Sequence, residues 1–295
     1  MRVAVLGANG QLGQDVVAAY VAAGDEVFAL THQDVMVESL DSVTQALQRV
    51  HPDVVVNTAA FHNVERCETE PDPAFAVNAL GARNAARASA ALEAKLVQIS
   101  TDYVFDGAKG APYVEEDLPR PLNVYANTKL SGEYFVRGAN PRHFVMRVSA
   151  IYGLHPCRAK GGLNFVETML KLARERDRLR VVNDEFVSPT STVDAARQVV
   201  TLSRTDEYGL YHATAEGGCS WYEFAQTIFE LSGTRVVLEP ALPGEFSTKV
   251  TRPKYSVLEN HALQRKSLNL FSHWKDGLKA YLAAREQAHA VPRIG

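Results

Sequence analysis

Val3-Ala4-Val5-Leu6-Gly7-Ala8-Asn9-Gly10-Gln11-Leu12-Gly13 decides the fold. Four apolar residues read as a short buried strand, and glycines recur at every third position directly after it. Such a turn lets backbone N–H groups approach a pyrophosphate, and the positive end of the next helix attracts its charge. That helix is expected over Gln11 to Ala23, with Gly24 closing it. Gly7, Asn9, Gly10, Gln11 and Leu12 are therefore candidate contacts for a dinucleotide cofactor. The spacing Gly-x-x-Gly-x-x-Gly departs from the commoner Gly-x-Gly-x-x-Gly fingerprint, so the rest of the chain has to support the reading.

Working outward, strands and helices alternate. Glu26 to Leu30 is a second strand, Ser39 to Val50 a helix, and Val54-Val55-Val56 a third strand. Pro73 to Ala91 is alanine-rich and helical. Leu96-Val97-Gln98-Ile99 is a buried strand, and His143 to Val148 is another. Strict alternation of this kind gives an α/β fold, a Rossmann-type doubly wound parallel sheet. Residues 1–153 are assigned to this NAD(P)-binding domain. Residues 154–295 mainly form a smaller C-terminal α/β substrate lobe, with a helix at Asn164 to Arg174 and a strand at Leu179 to Val182. The stretch 192–213, a helix capped by Thr192 and a strand Gly209 to Ala213, is expected to rejoin the main sheet. Ser220 and Glu223 form a capping box, with Trp221, Tyr222 and Phe224 on the core face of their helix. A last amphipathic helix runs from Phe271 to Ala288, and Val291 to Gly295 is expected to fray.

Ligands of open α/β sheets lie at the carboxyl ends of the strands. Thr31 ends the second strand; neither an acid that would favour NAD nor an arginine that would mark NADP stands beside it. Without a carboxylate to repel a 2′-phosphate, the preference leans to NADPH, with NADH as the alternative. Asn57-Thr58-Ala59-Ala60 ends the third strand, and its small residues let Ala59 and Ala60 pass close to the cofactor. Phe61-His62-Asn63 follows and would face a substrate, although a lone loop histidine is more often a surface hydrogen-bonder than a catalyst.

The chemistry is expected between Ser100 and Lys129. The fourth strand ends at Ser100-Thr101-Asp102-Tyr103, and Tyr125-Ala126-Asn127-Thr128-Lys129 opens a helix reaching about Val136. Residues four apart share a helix face, so the Tyr125 phenol and the Lys129 ammonium point the same way. A free phenol titrates near 10, and a cation one turn away should lower that value toward the range useful for proton delivery. Thr101 could bond the same reacting oxygen. Tyr-x-x-x-Lys is a weak signal on its own; the strand-end threonine and the glycine turn give it weight.

Composition narrows the partners. A net charge of −3 without a basic block argues against nucleic acid. No apolar run is long enough to span a membrane, and the N-terminus lacks the layout of a signal peptide. Cys67, Cys157 and Cys219 are odd in number and not at metal-ligand spacing, so reduced thiols and a cytoplasmic location are expected. No carboxylate cluster is arranged for a metal.

Nearly end to end, the chain resembles the extended short-chain dehydrogenase/reductases and, within them, the dTDP-4-dehydrorhamnose reductase family. The resemblance rests on Gly7-x-x-Gly10-x-x-Gly13, Ser100-Thr101-Asp102-Tyr103-Val104-Phe105-Asp106-Gly107, Pro121-Leu122-Asn123-Val124-Tyr125, Ser188-Pro189-Thr190, Ser220-Trp221-Tyr222-Glu223-Phe224 and Arg252-Pro253. It implies an NAD(P)H-dependent reductase of a nucleotide-linked 4-keto-6-deoxy sugar, as in dTDP-rhamnose biosynthesis, with a homodimer as a compatible assembly. Thr101, Tyr125 and Lys129 would be catalytic. Lys129 would also hold the nicotinamide ribose, and Asn78 would order the site. Phe61, His62, Asp102, Ala150, Asn164 and Arg252 would meet the sugar nucleotide.

The sugar-nucleotide dehydratases place a glutamate where this chain has Tyr103. Epimerase–reductases use a cysteine soon after the strand-end hydroxyl, and none lies between Cys67 and Cys157. Ala150 stands where the family commonly has tryptophan, Val187 replaces a glycine, and Tyr255 and His62 also depart from its pattern. These changes keep a second reading open: a non-catalytic NADP-binding regulatory subunit resembling the methionine adenosyltransferase β-subunit.

Overall fold

The structure, a computed structural model, describes residues 1–157, 161–242, 245 and 250–290; the expected frayed end at 291–295 lies outside them. Its centre is a six-stranded sheet in which every pairing is parallel. We name the first five strands β1 (Arg2–Leu6), β2 (Glu26–Leu30), β3 (Val54–Asn57), β4 (Lys95–Thr101) and β5 (His143–Val148). The sixth, Gly209–His212, pairs with β5, so the order is β2-β1-β3-β4-β5-(Gly209–His212).

Alternating side chains build a core on each face of this sheet. Val3 and Val5 of β1 point toward helix α1 (Gln11–Ala22) and the helix Thr192–Ser203, joining Val54, Val56, Phe144 and Met146. Ala4 and Leu6 point the other way, with Val55, Leu96 and Val145, against the helices Leu40–Val50, Gly81–Ala91 and Val124–Ala139. A third cluster lies in the C-terminal part, where Tyr152, Met169, Phe224, Ile228 and Trp274 pack together.

The chain leaves β1 toward β2 and then crosses back to β3 on the other side of β1. That reversal opens a crevice at the carboxyl ends of the strands. The register aligns those ends: Leu6 faces Leu30 and Asn57, and Thr101 faces Val148.

Local details differ from expectation in two places. Thr192 does not cap its helix. Ser191 holds the cap position without a side-chain bond, while the Thr192 hydroxyl donates to Asp15 at 2.5 Å. The helix expected from Pro73 to Ala91 is broken into Pro71–Phe75, a wider π turn at Ala76–Leu80, and Gly81–Ala91. The π turn carries Asn78 into the interior, where it is 2% exposed.

Candidate active site

A cleft of about 570 Å³ runs along the crevice, from the Gly7–Gly13 turn past Ala59, Ala60 and Phe61 to Tyr125 and Lys129, then on to Asn164, Phe165 and Trp221. This is the size range of cofactor and substrate sites.

At the first end, Gly7 has a φ of +77°, and a Cβ there would stand 2.8 Å from the Ala59 nitrogen. A Cβ on Gly13 would come within 2.4 Å of the Gly7 carbonyl. Only glycine allows the turn to sit this close to β3. Gly10 caps α1 without any side-chain bond, and no acid lies in the first turn. The first-turn N–H groups are therefore presented to the cleft, a cradle that fits a diphosphate. Gln11 lines it too, but its amide donates to the Gly153 and His155 carbonyls at 3.3 and 3.0 Å, which ties the turn to the far wall.

Thr31, immediately after β2, is a further candidate cofactor contact. It does not line the cleft; its N–H and hydroxyl both donate to Asp34 at 2.8 Å, closing a small turn. His32, Val35, Val37 and Glu38 line that end instead. The loop 31–39 carries no periodic pattern, so nothing in the sequence marked these four.

At the other end, three consecutive β4 residues hold the helix Val124–Ala139. The Lys129 ammonium donates to the Ile99 carbonyl at 2.6 Å, the Ser100 hydroxyl donates to Glu133 at 2.5 Å, and the Tyr125 phenol is hydrogen-bonded to Thr101. Asn123 caps the helix by accepting from the Ala126 N–H at 2.9 Å, which fixes Tyr125 in its first turn. Asn78 accepts from the Phe61 N–H and donates to the Phe61 carbonyl and to Thr128, fastening the β3 loop to this helix. It orders the cleft from behind and does not line it.

The electrostatics differ from expectation. Burial pushes the Tyr125 phenol above its ordinary 10; the Thr101 hydrogen bond opposes this, Asp102 and Cys67 add to it, and Lys129 is not among the groups acting on it. The ammonium is bonded to Ile99 and is itself pulled down by burial to about 8, with Glu133 resisting. A phenol so placed keeps its proton at neutral pH, which suits a proton donor. The Thr101 proton goes to Asp102 at 3.1 Å. Its oxygen accepts from the Tyr103 N–H at 3.3 Å.

Asp102 lines the cleft, yet its carboxylate also accepts from Ser149 at 2.9 Å and Ser256 at 2.6 Å. Burial raises its pKa against those three hydroxyl bonds. Its contacts make it a clamp on the Thr101 side chain more than a substrate ligand. Asn164 is similarly engaged: it caps the helix Phe165–Glu175 by accepting from the Glu167 N–H, and donates to the Gly153 carbonyl at 2.8 Å. Arg252 lies off the cleft and pairs with Glu65.

Phe61, His62 and Ala150 do line it. Ala150 holds a left-handed φ of +43°, and His62 Nε2 lies 3.6 Å from the Cys157 sulfur. Trp221, expected on the core face, is half-buried and also reaches the cleft, its ring 4.6 Å from that of Phe165. Its place at the first turn of a capped helix was the available signal. Tyr103, edge-on to Tyr125 at 6.0 Å, was passed over as well.

One carboxylate–imidazole group does assemble away from the cleft, against expectation. Glu115, Glu116 and His261 bring ligand-type atoms within 4.8 Å of one another. Glu115 already accepts the His212 and Ala262 N–H groups, and Glu116 pairs with His261 and Arg265. Among the described residues no disulfide joins the three cysteines, and no helix is long and apolar enough to cross a membrane.

Fold and site together define an α/β protein of the dinucleotide-binding, extended short-chain dehydrogenase/reductase kind. The comparison with known proteins is specific about its branch. The chain belongs to the RmlD substrate binding domain family, matched over residues 1–287. It is 40% identical over 287 residues to the spore coat polysaccharide biosynthesis protein SpsK of Bacillus subtilis, covering 97% of this chain and 99% of that one. A dTDP-4-dehydrorhamnose reductase from Clostridium acetobutylicum superposes with a TM-score of 0.92 at 40% identity, over 97% of this chain and all of the other. The Bacillus anthracis dTDP-4-dehydrorhamnose reductase, solved in complex with NADP, gives 0.91 at 36%, over 96% and 99%.

Proposed function

We propose that this protein is an NADPH-dependent reductase of a nucleotide-linked 4-keto-6-deoxy sugar, with NADH as the weaker donor. The observation that carries the proposal is a buried, protonated phenol at the strand end, one helical turn from an ammonium, in the same cleft as an uncapped glycine turn. Relatives named as dTDP-4-dehydrorhamnose reductases, one of them holding NADP, supply the chemical class. The SpsK likeness widens the range of candidate sugars.

The chemistry that a nicotinamide would supply, when bound in this cleft, is a hydride for the carbonyl carbon. The chain does the rest. Gly7, Gly10 and the first turn of α1 would hold the diphosphate, Ala59 and Ala60 would allow close approach, and Tyr125 would transfer its phenolic proton to the carbonyl oxygen, giving a secondary alcohol. Water would then return a proton to the phenolate, while Lys129, charged below about pH 8 and bonded to the Ile99 carbonyl, would hold the nicotinamide ribose. Thr101 fixes the phenol's direction and contributes its own hydroxyl proton only by turning from Asp102. Ala150 and Val187, in place of bulkier or smaller family residues, shape the sugar end together with Phe61, His62 and Trp221.

The test is turnover: pure protein, NADPH and dTDP-4-keto-6-deoxy-L-mannose, with loss of the reduced-nicotinamide absorbance followed beside a panel of related keto sugars. Cofactor-dependent oxidation with one of them is the expected result. A flat trace across the panel with dinucleotide still bound would favour the regulatory-subunit reading. The protein-internal engagement of Asn164 and Asp102, which leaves few polar groups for a sugar, would then be its structural basis.

A further inference from the structure

One residue of the glycine-turn cradle also reaches the wall that carries the sugar end. Gln11 is the first residue of α1, so its backbone N–H belongs to the turn presented to a diphosphate. Its side chain is 8% exposed, and Nε2 donates to the Gly153 carbonyl at 3.3 Å and the His155 carbonyl at 3.0 Å. The Gly153 carbonyl accepts a second amide, Asn164 Nδ2, at 2.8 Å. Asn164 in turn caps the helix Phe165–Glu175: its Oδ1 accepts from the Glu167 N–H at 3.0 Å, and its carbonyl from the Thr168 N–H at 2.9 Å. A single carbonyl thus joins the start of the cofactor helix to the start of the helix that brings Phe165 to the cleft.

A second tie lies one helical turn on. Asp15 of α1 accepts from the Thr192 hydroxyl at 2.5 Å and lies 3.5 Å from His155 Nε2. The packing there leaves no slack, since a Cβ on Gly153 would stand 1.9 Å from the Thr192 oxygen. The segment 153–155 is therefore clamped to α1 at Gln11 and at Asp15. A helix start that no side chain caps is the least restrained part of its helix, and a diphosphate there would satisfy the orphan N–H groups. We propose that Gln11 is a positioning residue that couples the two ends of the cleft. With a diphosphate on the first turn of α1, Gln11 holds Gly153 and the Asn164 cap in place, which raises the affinity for a nucleotide-linked sugar. By linkage, the sugar nucleotide strengthens dinucleotide binding by the same factor. The proposal rests on the reductase reading for the identity of the second ligand, and the coupling within the fold is tested without it.

Hydrogen exchange of the whole protein, with and without saturating NADP+, reads the coupling directly. In wild type, NADP+ should slow exchange at two places: the glycine turn, and the Glu167 and Thr168 amides, whose bonds depend on Asn164. Gln11→Met keeps the side-chain length and the backbone N–H and removes both side-chain bonds. In that variant protection at the glycine turn should remain, and protection at Glu167 and Thr168 should fall to that of the free protein. Affinity gives a second readout. By calorimetry, dTDP should bind wild type at least about fivefold tighter with NADP+ than without it, the lower end of ordinary couplings. Gln11→Met should bring that ratio close to one. In turnover at saturating NADPH, the variant should raise KM for the keto sugar more than it lowers kcat.

If Gln11→Met does not fold, Asn164→Asp decides. It keeps the cap on the Glu167 N–H and removes the amide that reaches Gly153, and it should lose the same distant protection. Absence of that protection in wild type, its persistence in a folded variant, or dTDP bound equally well with and without NADP+ overturns the proposal. If the distant protection is lost in the variants but dTDP does not bind and no keto sugar is reduced, the reductase reading fails and the coupling through Gln11 stands.

Discussion

Tyr125→Phe separates the chemistry of the site from its architecture. The phenol's contact is the Thr101 hydroxyl. With the phenol gone, Thr101 still donates to Asp102 at 3.1 Å and still accepts from the Tyr103 N–H at 3.3 Å. The substitution therefore orphans no buried polar group, and the ring keeps its packing. The expected loss is one neutral hydrogen bond, about 1 kcal/mol, or a melting shift of about 2–4 °C in a chain of this size. The cost to reduction is much larger. Loss of a general acid costs about 10²–10⁴-fold in rate, or about 3–5 kcal/mol of barrier. Dinucleotide affinity, which the proposal assigns to the distant glycine turn, should change little. Single-turnover reduction by NADPH-loaded protein, thermal melting and fluorescence titration of NADPH measure the three quantities separately. A variant that reduces the sugar at near wild-type rate would remove Tyr125 as the proton donor. One that loses NADPH binding in step with activity would show that the ring's role is to hold the cofactor.

The Lys129 value gives a pH prediction. In the folded protein its proton leaves at about pH 8, so kcat/KM should hold below that pH and fall above it; a limb near the free-lysine value would mean the ammonium is solvated in solution. Because the folded value lies below the unfolded 10.5, burial of Lys129 penalises folding while both states are protonated. Relative to Lys129→Met, the wild type should therefore gain stability as pH rises from about 8 toward 10.5, as read by denaturant titration. Gly132→Ala should destabilise by about 1–3 kcal/mol, since its Cβ would stand 2.5 Å from the Asn78 carbonyl oxygen. An unchanged denaturant midpoint would show that the two helical segments have room to part.

The sequence carried the doubly wound sheet because its information is local. β1, β3 and β4 are apolar runs ending in glycine, small or hydroxyl residues, and Tyr125 with Lys129 needs only the 3.6-residue repeat to share a face. The capping box at Ser220 was legible for the same reason, and the structure shows both halves of it. What escaped was set by distant partners. Thr31 is removed from the cleft by Asp34, and Asn164 has its amide engaged by a helix start and by Gly153. Glu133 and Arg147 look like ordinary surface charges in the sequence, and only the packing of the helix Val124–Ala139 against the sheet brings them together. The phenol's pKa was misjudged because spacing gives direction along a helix but says nothing about the Ile99 carbonyl that takes the ammonium.

Asp102 receives the Ser256 hydroxyl from a point 154 residues further along the chain. During synthesis, a chain that has emerged only as far as Val148 already contains the glycine turn, the phenol and the amine. It lacks the late serine that completes the grip on Asp102, and with it the fixed bearing of Thr101. Maturation of the cleft thus waits on the last stretch of translation, and a truncation in that stretch would leave a cradle that grips dinucleotide while its proton-handling corner stays loosely built.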